Sequence, residues 1–437
     1  MTTVRALVIT VLGLAACGND EVLPDAAVRD DGPAPADAGP DARVDARPDA
    51  STVMVTGLDP AFGTDGWVAF DGTIGGLAER PDRGLVVCGG DQNGPLRVVR
   101  LRADGAQEAT FGVGGVVALP GYASCTAVGV LADGRIVIAA NPAPHFVVLS
   151  PDGAVQAAAP GYLAADWSTS ILPLADGGFA FAGVYRRMAG ADVTYTTIVG
   201  RHDAALNPVT AFANGSIAIG LARPETPRPR LARVVAGGVE RYVVGTYGRT
   251  AGVRASDGVV DGSFETTPPG AYGSITVAAT GAQVTAAYPY LPTPPDRVNT
   301  RAYALAANGL EGPATRLDYC DSDTADETAA AIALDSAGRT VVVPVGGGRW
   351  PDVRLTRLAP GGVGLDPAWG CGRTLMLPAF CPPGTPCPGT YADNADVTAV
   401  DALVTTGDAI IVAGNQHRFY IPGLIDETRG FIARVLP

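Results

Sequence analysis

LDPAFGTDGWVAF, at Leu58–Phe70, returns as QEATFGVGGVVAL at Gln107–Leu119 and as LDPAWGCGRTLML at Leu365–Leu377. Each copy places an aromatic residue and a glycine at a turn and follows them with a short apolar run, the pattern of a tight turn feeding a strand. Between copies runs a second phrase, clearest as TAVGVLADGRIVIAAN at Thr126–Asn141: an apolar strand, a turn on Asp-Gly, and a run of small β-branched residues. A repeat of fixed period decides the architecture before any local propensity does. The turn glycines of this second phrase are Gly84, Gly134, Gly177, Gly237, Gly281, Gly338 and Gly407, a mean spacing of about 54 residues. Units of that length with about four short strands each are what a β-propeller blade requires; helical and leucine-rich repeats are shorter or carry a 3.6-residue period.

The expected fold is therefore all-β, a single β-propeller of about seven four-stranded blades over residues 57–437. The chain end refines this expectation. The last unit runs DALVTTGDAIIVAG and finishes at RGFIARVLP, three strands with no cassette after them, whereas Leu58–Phe70 is a cassette with no strands before it. If the N-terminal cassette supplies the fourth strand of the C-terminal blade, the ring closes and no sheet edge is left open at the junction.

Composition agrees with many short strands. Hydrophobic residues make up 47% of the 437, charged residues only 17%, and Gly and Pro number 57 and 36. The net charge of −13 disfavours nucleic acid as a partner, because phosphate binding needs clustered cations. All 31 basic residues are arginine. Schiff-base chemistry and the GK[ST] phosphate loop, both of which need lysine, are thus excluded.

Residues 1–17, MTTVRALVITVLGLAAC, set one cation at Arg5 before an apolar run that is too short to span a bilayer and suits a secretory signal. Its end, Leu14-Ala15-Ala16-Cys17, matches the bacterial lipobox, in which the cysteine is lipidated; Cys17 is the expected lipidation site. Gly18 and Asn19 follow, without the aspartate directly after the cysteine that favours inner-membrane retention, so export to the outer membrane is expected, on its periplasmic or cell-surface face. Residues 18–56 hold nine acids and three arginines among Pro, Ala and Gly. They read as a disordered, self-repelling tether with too little apolar surface to order. The membrane is then reached through the lipid anchor only, and a monomer is expected.

LDPAFGTDGWV, PDRGLVVCGG, ADGRIVIAA and VVRLRADG together resemble the bacterial delta-sixty repeat family, whose units read roughly LDxTFGxGGxV, DGKIVVAG and LARYNxDG. The resemblance covers about Gly57–Pro437 and is weakest between Gly161 and Asp318, where the cassette survives only as DGSFETTPPG at Asp261–Gly270; six to eight blades are compatible with it. It implies a secreted or surface-attached propeller and no common enzymatic activity.

Six cysteines remain after Cys17, and an even number in an exported chain reads as disulfides. Cys381 and Cys387 flank the turn PPGTP and are paired; Cys88 with Cys125 and Cys320 with Cys371 would each join neighbouring blades. A zinc site lacks any CxxC pair. No HExxH or GxSxG occurs, so zincin and nucleophile-elbow chemistry lack a starting motif. No cofactor is expected, with calcium the one candidate: DSDTADE at Asp321–Glu327 offers Asp321 and Asp323, although Ala325 takes the third ligand position.

The units grow between their second and third strands. YRRMAGADVTY, YPYLPTPPDR, GGGRWPD and NQHRFYIPGLIDET hold Tyr185, Arg186, Arg187, Tyr288, Tyr290, Trp350, His417, Arg418, Phe419 and Tyr420. In a propeller these loops emerge on one face, and aromatic residues with arginine are the types that anchor interfaces; the bland alternative is that surface loops tolerate insertion. The function expected is a non-catalytic binding or scaffolding module for a protein or glycan of the cell envelope. The alternative is a propeller hydrolase or lyase acting on polysaccharide, with carboxylates meeting in the central channel.

Overall fold

The computed structural model describes residues 57–90, 94–142, 145–160, 167–189, 192–223, 228–267, 271, 275–280, 283–290, 299–305, 315–317, 327–346, 352–361, 364–369, 373–376, 395–404, 409–420 and 425–436. Cys17, the 18–56 segment, Asp321, Asp323, Trp350, Cys320, Cys371, Cys381 and Cys387 lie outside the described residues.

Seven four-stranded antiparallel sheets form a β-propeller. Blades 1 to 6 take residues 73–119, 124–160, 167–223, 230–266, 276–317 and 327–376, each in simple sequence order from the innermost strand outward. Blade 7 is composite. Its first three strands are Ala395–Val404, Ile410–Tyr420 and Ile425–Val435, and its outermost strand is Trp67–Phe70, paired from Trp67 opposite Ala433 to Phe70 opposite Gly430. The N-terminal cassette closes the ring, as the unequal chain ends imply, and covers an edge that would otherwise invite mispairing.

Apolar residues on alternate positions of each strand face the two neighbouring blades, so the core is a set of layers between blades. Phe62 and Ile74 fill the layer between blades 7 and 1, Phe111 and Val147 that between 1 and 2, and Phe212 and Tyr242 that between 3 and 4. Trp369 does the same between blades 6 and 7.

The cassette is the fastener between these layers. Its aromatic residue is buried, and the arginine one residue before the end of the same blade's third strand lies over the ring: Arg434 over Phe62 at 5.1 Å, Arg100 over Phe111 at 5.8 Å and Arg357 over Trp369 at 4.4 Å. The cassette acid holds that guanidinium, with Asp59 on Arg434 at 2.5 Å, Glu108 on Arg100 at 2.8 Å and Asp366 on Arg357 at 2.6 Å. Arg434 then donates to the Ala103 carbonyl of blade 1 at 2.6 Å, and Arg201 to the Ala255 carbonyl of blade 4 at 2.7 Å. Backbone bonds repeat the link: Gly63 N–H to Asp104 O at 2.7 Å and Gly112 N–H to Asp152 O at 3.0 Å. At the receiving turns Gly105 and Gly153 have φ of +80° and +97°, and a Cβ on either would meet the incoming cassette, at 2.7 Å from Gly63 N in the first case. These positions need glycine for conformation and for space.

One cassette escapes the sequence pattern. Asn207–Ala213 makes the same bridge, Pro208 opposite His202, that Gln107 makes with Leu101 and Leu365 with Leu358, and its Phe212 is fully buried. At DGSFETTPPG, Phe264 instead lies within the strand Val260–Thr266 and is covered by Arg241 from the second strand of blade 4. Cys88 and Cys125 form a disulfide across blades 1 and 2, with Cα atoms 6.0 Å apart and both residues buried. Between blades 7 and 1 the Asn415 amide accepts from the Ile74 N–H at 2.6 Å and donates to the Ile74 carbonyl at 2.9 Å.

Candidate binding face

Successive strands of a blade run antiparallel, so all turns between second and third strands lie at one end of the ring, where the innermost strands also begin. Among the described residues the longest strands at that end are in blades 3 and 7. Their second and third strands, Phe179–Ala189 with Asp192–His202 and Ile410–Tyr420 with Ile425–Val435, are 11 residues each, against six for Leu85–Gly90 and Ile136–Asn141 in blades 1 and 2. Five more residues carry a strand about 17 Å further. The insertions read as loops from the sequence are in these two blades continuous β-ribbons, with pairing unbroken to Ala189 opposite Asp192 and Tyr420 opposite Ile425.

Tyr185, Arg186 and Arg187 sit on the blade 3 ribbon opposite Thr196, Tyr195 and Thr194, and both arginines are exposed. Met188, next in line, is 66% exposed. His417, Arg418, Phe419 and Tyr420 occupy successive register positions on the blade 7 ribbon, opposite Thr428, Glu427, Asp426 and Ile425. Tyr290 ends the second strand of blade 5, opposite Asn299. Tyr288 is a correction. It was expected on the loop face but lies inside the blade, 1% exposed and edge-on to Tyr303 at 5.4 Å between ring centres. The aromatic run that suggested a loop begins inside the strand Gln283–Tyr290. Blades 3 and 7 stand three places apart in the ring of seven, so the two ribbons rise on opposite sides of the channel mouth.

The channel itself is a cavity of about 440 Å³ walled by all seven innermost strands. Small aliphatic residues dominate it, among them Leu77, Val128, Ile171, Val277, Ile332 and Leu403, with Arg230, Arg233 and Glu79 as its charged residues. Among the described lining residues Glu79 is the one carboxylate, and acid–base cleavage of a glycosidic bond uses two. No group of three His, Cys, Asp or Glu side chains among the described residues is placed to hold a metal ion.

Of the three histidines, His202 is the one the structure makes unusual. It closes the third strand of blade 3, is 1% exposed, and stacks on Phe179 at 5.0 Å with Phe146 at 5.4 Å and Phe181 at 5.7 Å. Its Nδ1 lies 2.9 Å from the Leu206 carbonyl, while Nε2 is buried with no hydrogen-bond partner. Burial pushes its pKa below the usual histidine value, against a weaker opposing effect of the Leu206 bond.

Comparison with family models finds no match, and comparison with curated proteins finds none either. Among solved structures the chain is similar in fold to a streptogramin B lyase, at 10% identity and a TM-score of 0.46, covering 84% of this chain and 97% of that one. Virginiamycin B lyase from Staphylococcus aureus gives 9% identity and 0.49, covering 84% and 98%. A gluconolactonase from Xanthomonas campestris gives 12% identity and 0.38, covering 86% and 92%. The seven-blade assignment rests on the sheet order described above.

Proposed function

We propose that the chain is an exported lipoprotein of the delta-sixty repeat type, anchored to the outer membrane through Cys17 and the 18–56 tether, whose propeller is a non-catalytic module binding a protein or glycan of the cell envelope. The observation that carries this reading is the pair of ribbons at one end of the ring, with exposed Arg186, Arg187 and Met188 on one of them. A buried disulfide supports an oxidising compartment. The polypeptide enters the propeller at the other end of the ring, where Gly57 accepts from Leu436 N–H at 2.9 Å beside the end of the third strand of blade 7.

The test immobilises the full chain under oxidising conditions and passes envelope extract over it, beside a copy carrying Arg186→Ala, Arg187→Ala, Arg418→Ala and Tyr420→Ala. Retention of a protein or glycan by the first and its loss from the second is the expected result. Equal retention by both removes the ribbons from the site, and no retention by either removes the binding-module reading.

A further inference from the structure

The end of the ring opposite the ribbons carries the turns between first and second and between third and fourth strands. Blades 1, 2 and 3 close their first hairpins there with the five-residue turns Arg80–Gly84, Leu131–Arg135 and Leu174–Gly178, which carry Asp82, Asp133 and Asp176. Blade 4 does not. Its ladder runs to Ala236 opposite Val239 around Gly237–Gly238, so the tip bears no charge. A Cβ on either glycine would meet nothing within 4 Å, and the tip stands clear of its surroundings. Val235 and Val239 point to opposite faces of this hairpin, and neither is covered by a neighbouring blade. At the same end of the same sheet Val259 and Val260 begin the fourth strand. All four valines are between 36% and 48% exposed.

Other blades add to this end. Val113 in the blade 1 cassette turn, Val155 at the start of the fourth strand of blade 2 and Leu436 after the third strand of blade 7 are exposed as well. Among the described residues, seven of the eight exposed large apolar side chains therefore lie here, and Met188 on the blade 3 ribbon is the eighth. Single exposed apolar residues are ordinary; a set confined to one end marks a surface that meets something apolar. The charges around the blade 4 tip are held in pairs, Arg233 with Glu240 at 2.7 Å, Arg254 with Asp257 at 2.7 Å and Arg241 with Asp261 at 2.5 Å. What the surface meets is indicated by where the chain enters. Gly57 lies at this end against Leu436, so the 56 residues before it, Cys17 among them, join the ring here.

We propose that this end of the propeller docks on a lipid bilayer, with the blade 4 tip and Val259–Val260 entering its interface. The proposal rests on the lipid-anchor reading and adds a second membrane contact to it. An anchor fixes where the chain is attached; apolar side chains at one end fix which end faces the lipid. Interfacial segments bury their apolar side chains by about 5–10 Å into the headgroup boundary, a depth at which a hairpin tip keeps its backbone groups hydrated. Because the charges around the tip are paired and the chain carries −13 overall, a zwitterionic surface is favoured over an anionic one. A protein partner would meet a compact patch with a packed centre, whereas these side chains are spread over blades 1, 2, 4 and 7, as contact with a fluid surface permits.

The experiment attaches an environment-sensitive fluorophore to Val239→Cys, to Val259→Cys and to Ala218→Cys, the last exposed on the outermost strand of blade 3, in the lipidated chain reconstituted into phosphatidylcholine vesicles. Quenching by a lipid-borne nitroxide should be about twofold or more stronger at 239 and 259 than at 218, with shielding from aqueous iodide at the first two. Adding Val235→Asp/Val239→Asp should abolish the quenching at 259 while leaving the urea midpoint unchanged, and phosphatidylglycerol vesicles at low salt should quench less than phosphatidylcholine. Equal quenching at 218 and 239 overturns the docking, as does quenching at 259 that survives the two aspartates. Shielding from iodide without quenching by the lipid nitroxide means that protein covers this end, and overturns the lipid. Stronger quenching on phosphatidylglycerol overturns the zwitterionic preference. A mature chain without lipid on Cys17 fails the anchoring reading alone: labels quenched on simple mixing with vesicles then still uphold the docking, and labels left unquenched overturn it.

Discussion

Replacing His202 by leucine should make the propeller less sensitive to acid. The imidazole sits where Leu101, Leu358 and Val435 close the third strands of blades 1, 6 and 7, so leucine already fits the equivalent position. Its folded-state pKa is lowered by burial among Phe146, Phe179 and Phe181. The nearest charges do little to offset this: Asp203 favours the cation only weakly, and Arg201 is engaged with Asp176 at 2.6 Å and with the Ala255 carbonyl. A lowered folded pKa means that the unfolded chain takes up the proton first. Above about pH 6.5 both states are neutral and stability is full; below it, stability falls by about 1.4 kcal/mol per pH unit until the folded pKa is reached. At pH 7.5 the substitution removes a hydrogen bond worth about 1 kcal/mol but also the buried, unpartnered Nε2, and these two effects roughly offset each other. Urea unfolding of both proteins from pH 7.5 to pH 5.0 should give a stability difference near zero at the first and a growing advantage for leucine toward the second, up to about 1.4 kcal/mol at pH 5.5. A difference that does not change with pH would refute the reasoning, since carboxylates common to both proteins cancel in it.

Three further outcomes follow from the same geometry. Changing Cys88 and Cys125 together to alanine opens a loop of 37 residues and should cost about 4 kcal/mol in urea unfolding without reductant, a value that adding reductant to the unchanged protein should approach. Asn415→Ala removes both hydrogen bonds across the 7–1 junction and should cost about 2 kcal/mol, whereas a cost near zero would mean that water replaces the amide. Tyr242→Phe should be neutral or stabilising by up to about 1 kcal/mol in thermal unfolding, because its hydroxyl is buried without a partner and its pKa is pushed up to about 12 by that burial; a loss above that amount would reveal a bound water there.

The parts of the fold legible in the sequence are those set by short-range, repeated constraints. A buried aromatic after an acid, a turn glycine that must accept a neighbour's backbone, and an arginine before the end of a strand recur because each blade junction poses the same steric problem. Closure was legible because the chain ends carry unequal numbers of strands. The cassette at Asn207–Ala213 was not, since it keeps only the buried Phe212 and the bridge at Pro208 while losing the glycine and the acid. The ribbon residues were found as unusual composition, but their arrangement was hidden. Which of Arg186 and Arg187 faces blade 4 depends on strand parity, fixed by the pairing of Val184 with Thr197 and the contact of Thr197 with Thr246, 49 residues further on. Tyr288 was misplaced for the same reason, because an aromatic run looks alike whether it begins before or after the strand leaves the core.

The division of labour between junctions and ribbons follows from where burial lies. Every apolar layer joins two blades, and the cassette bonds, the Cys88–Cys125 link and the Asn415 amide all act across those layers. The ribbon rungs above the Thr197–Thr246 contact contribute to none of them: Arg186, Arg187 and Met188 are exposed. Substitution there changes little of the free energy that keeps the ring closed, because surface positions away from caps and networks shift stability by only about 0.5 kcal/mol. Lengthening the second and third strands of one blade is therefore a low-cost way to build a recognition surface on this ring.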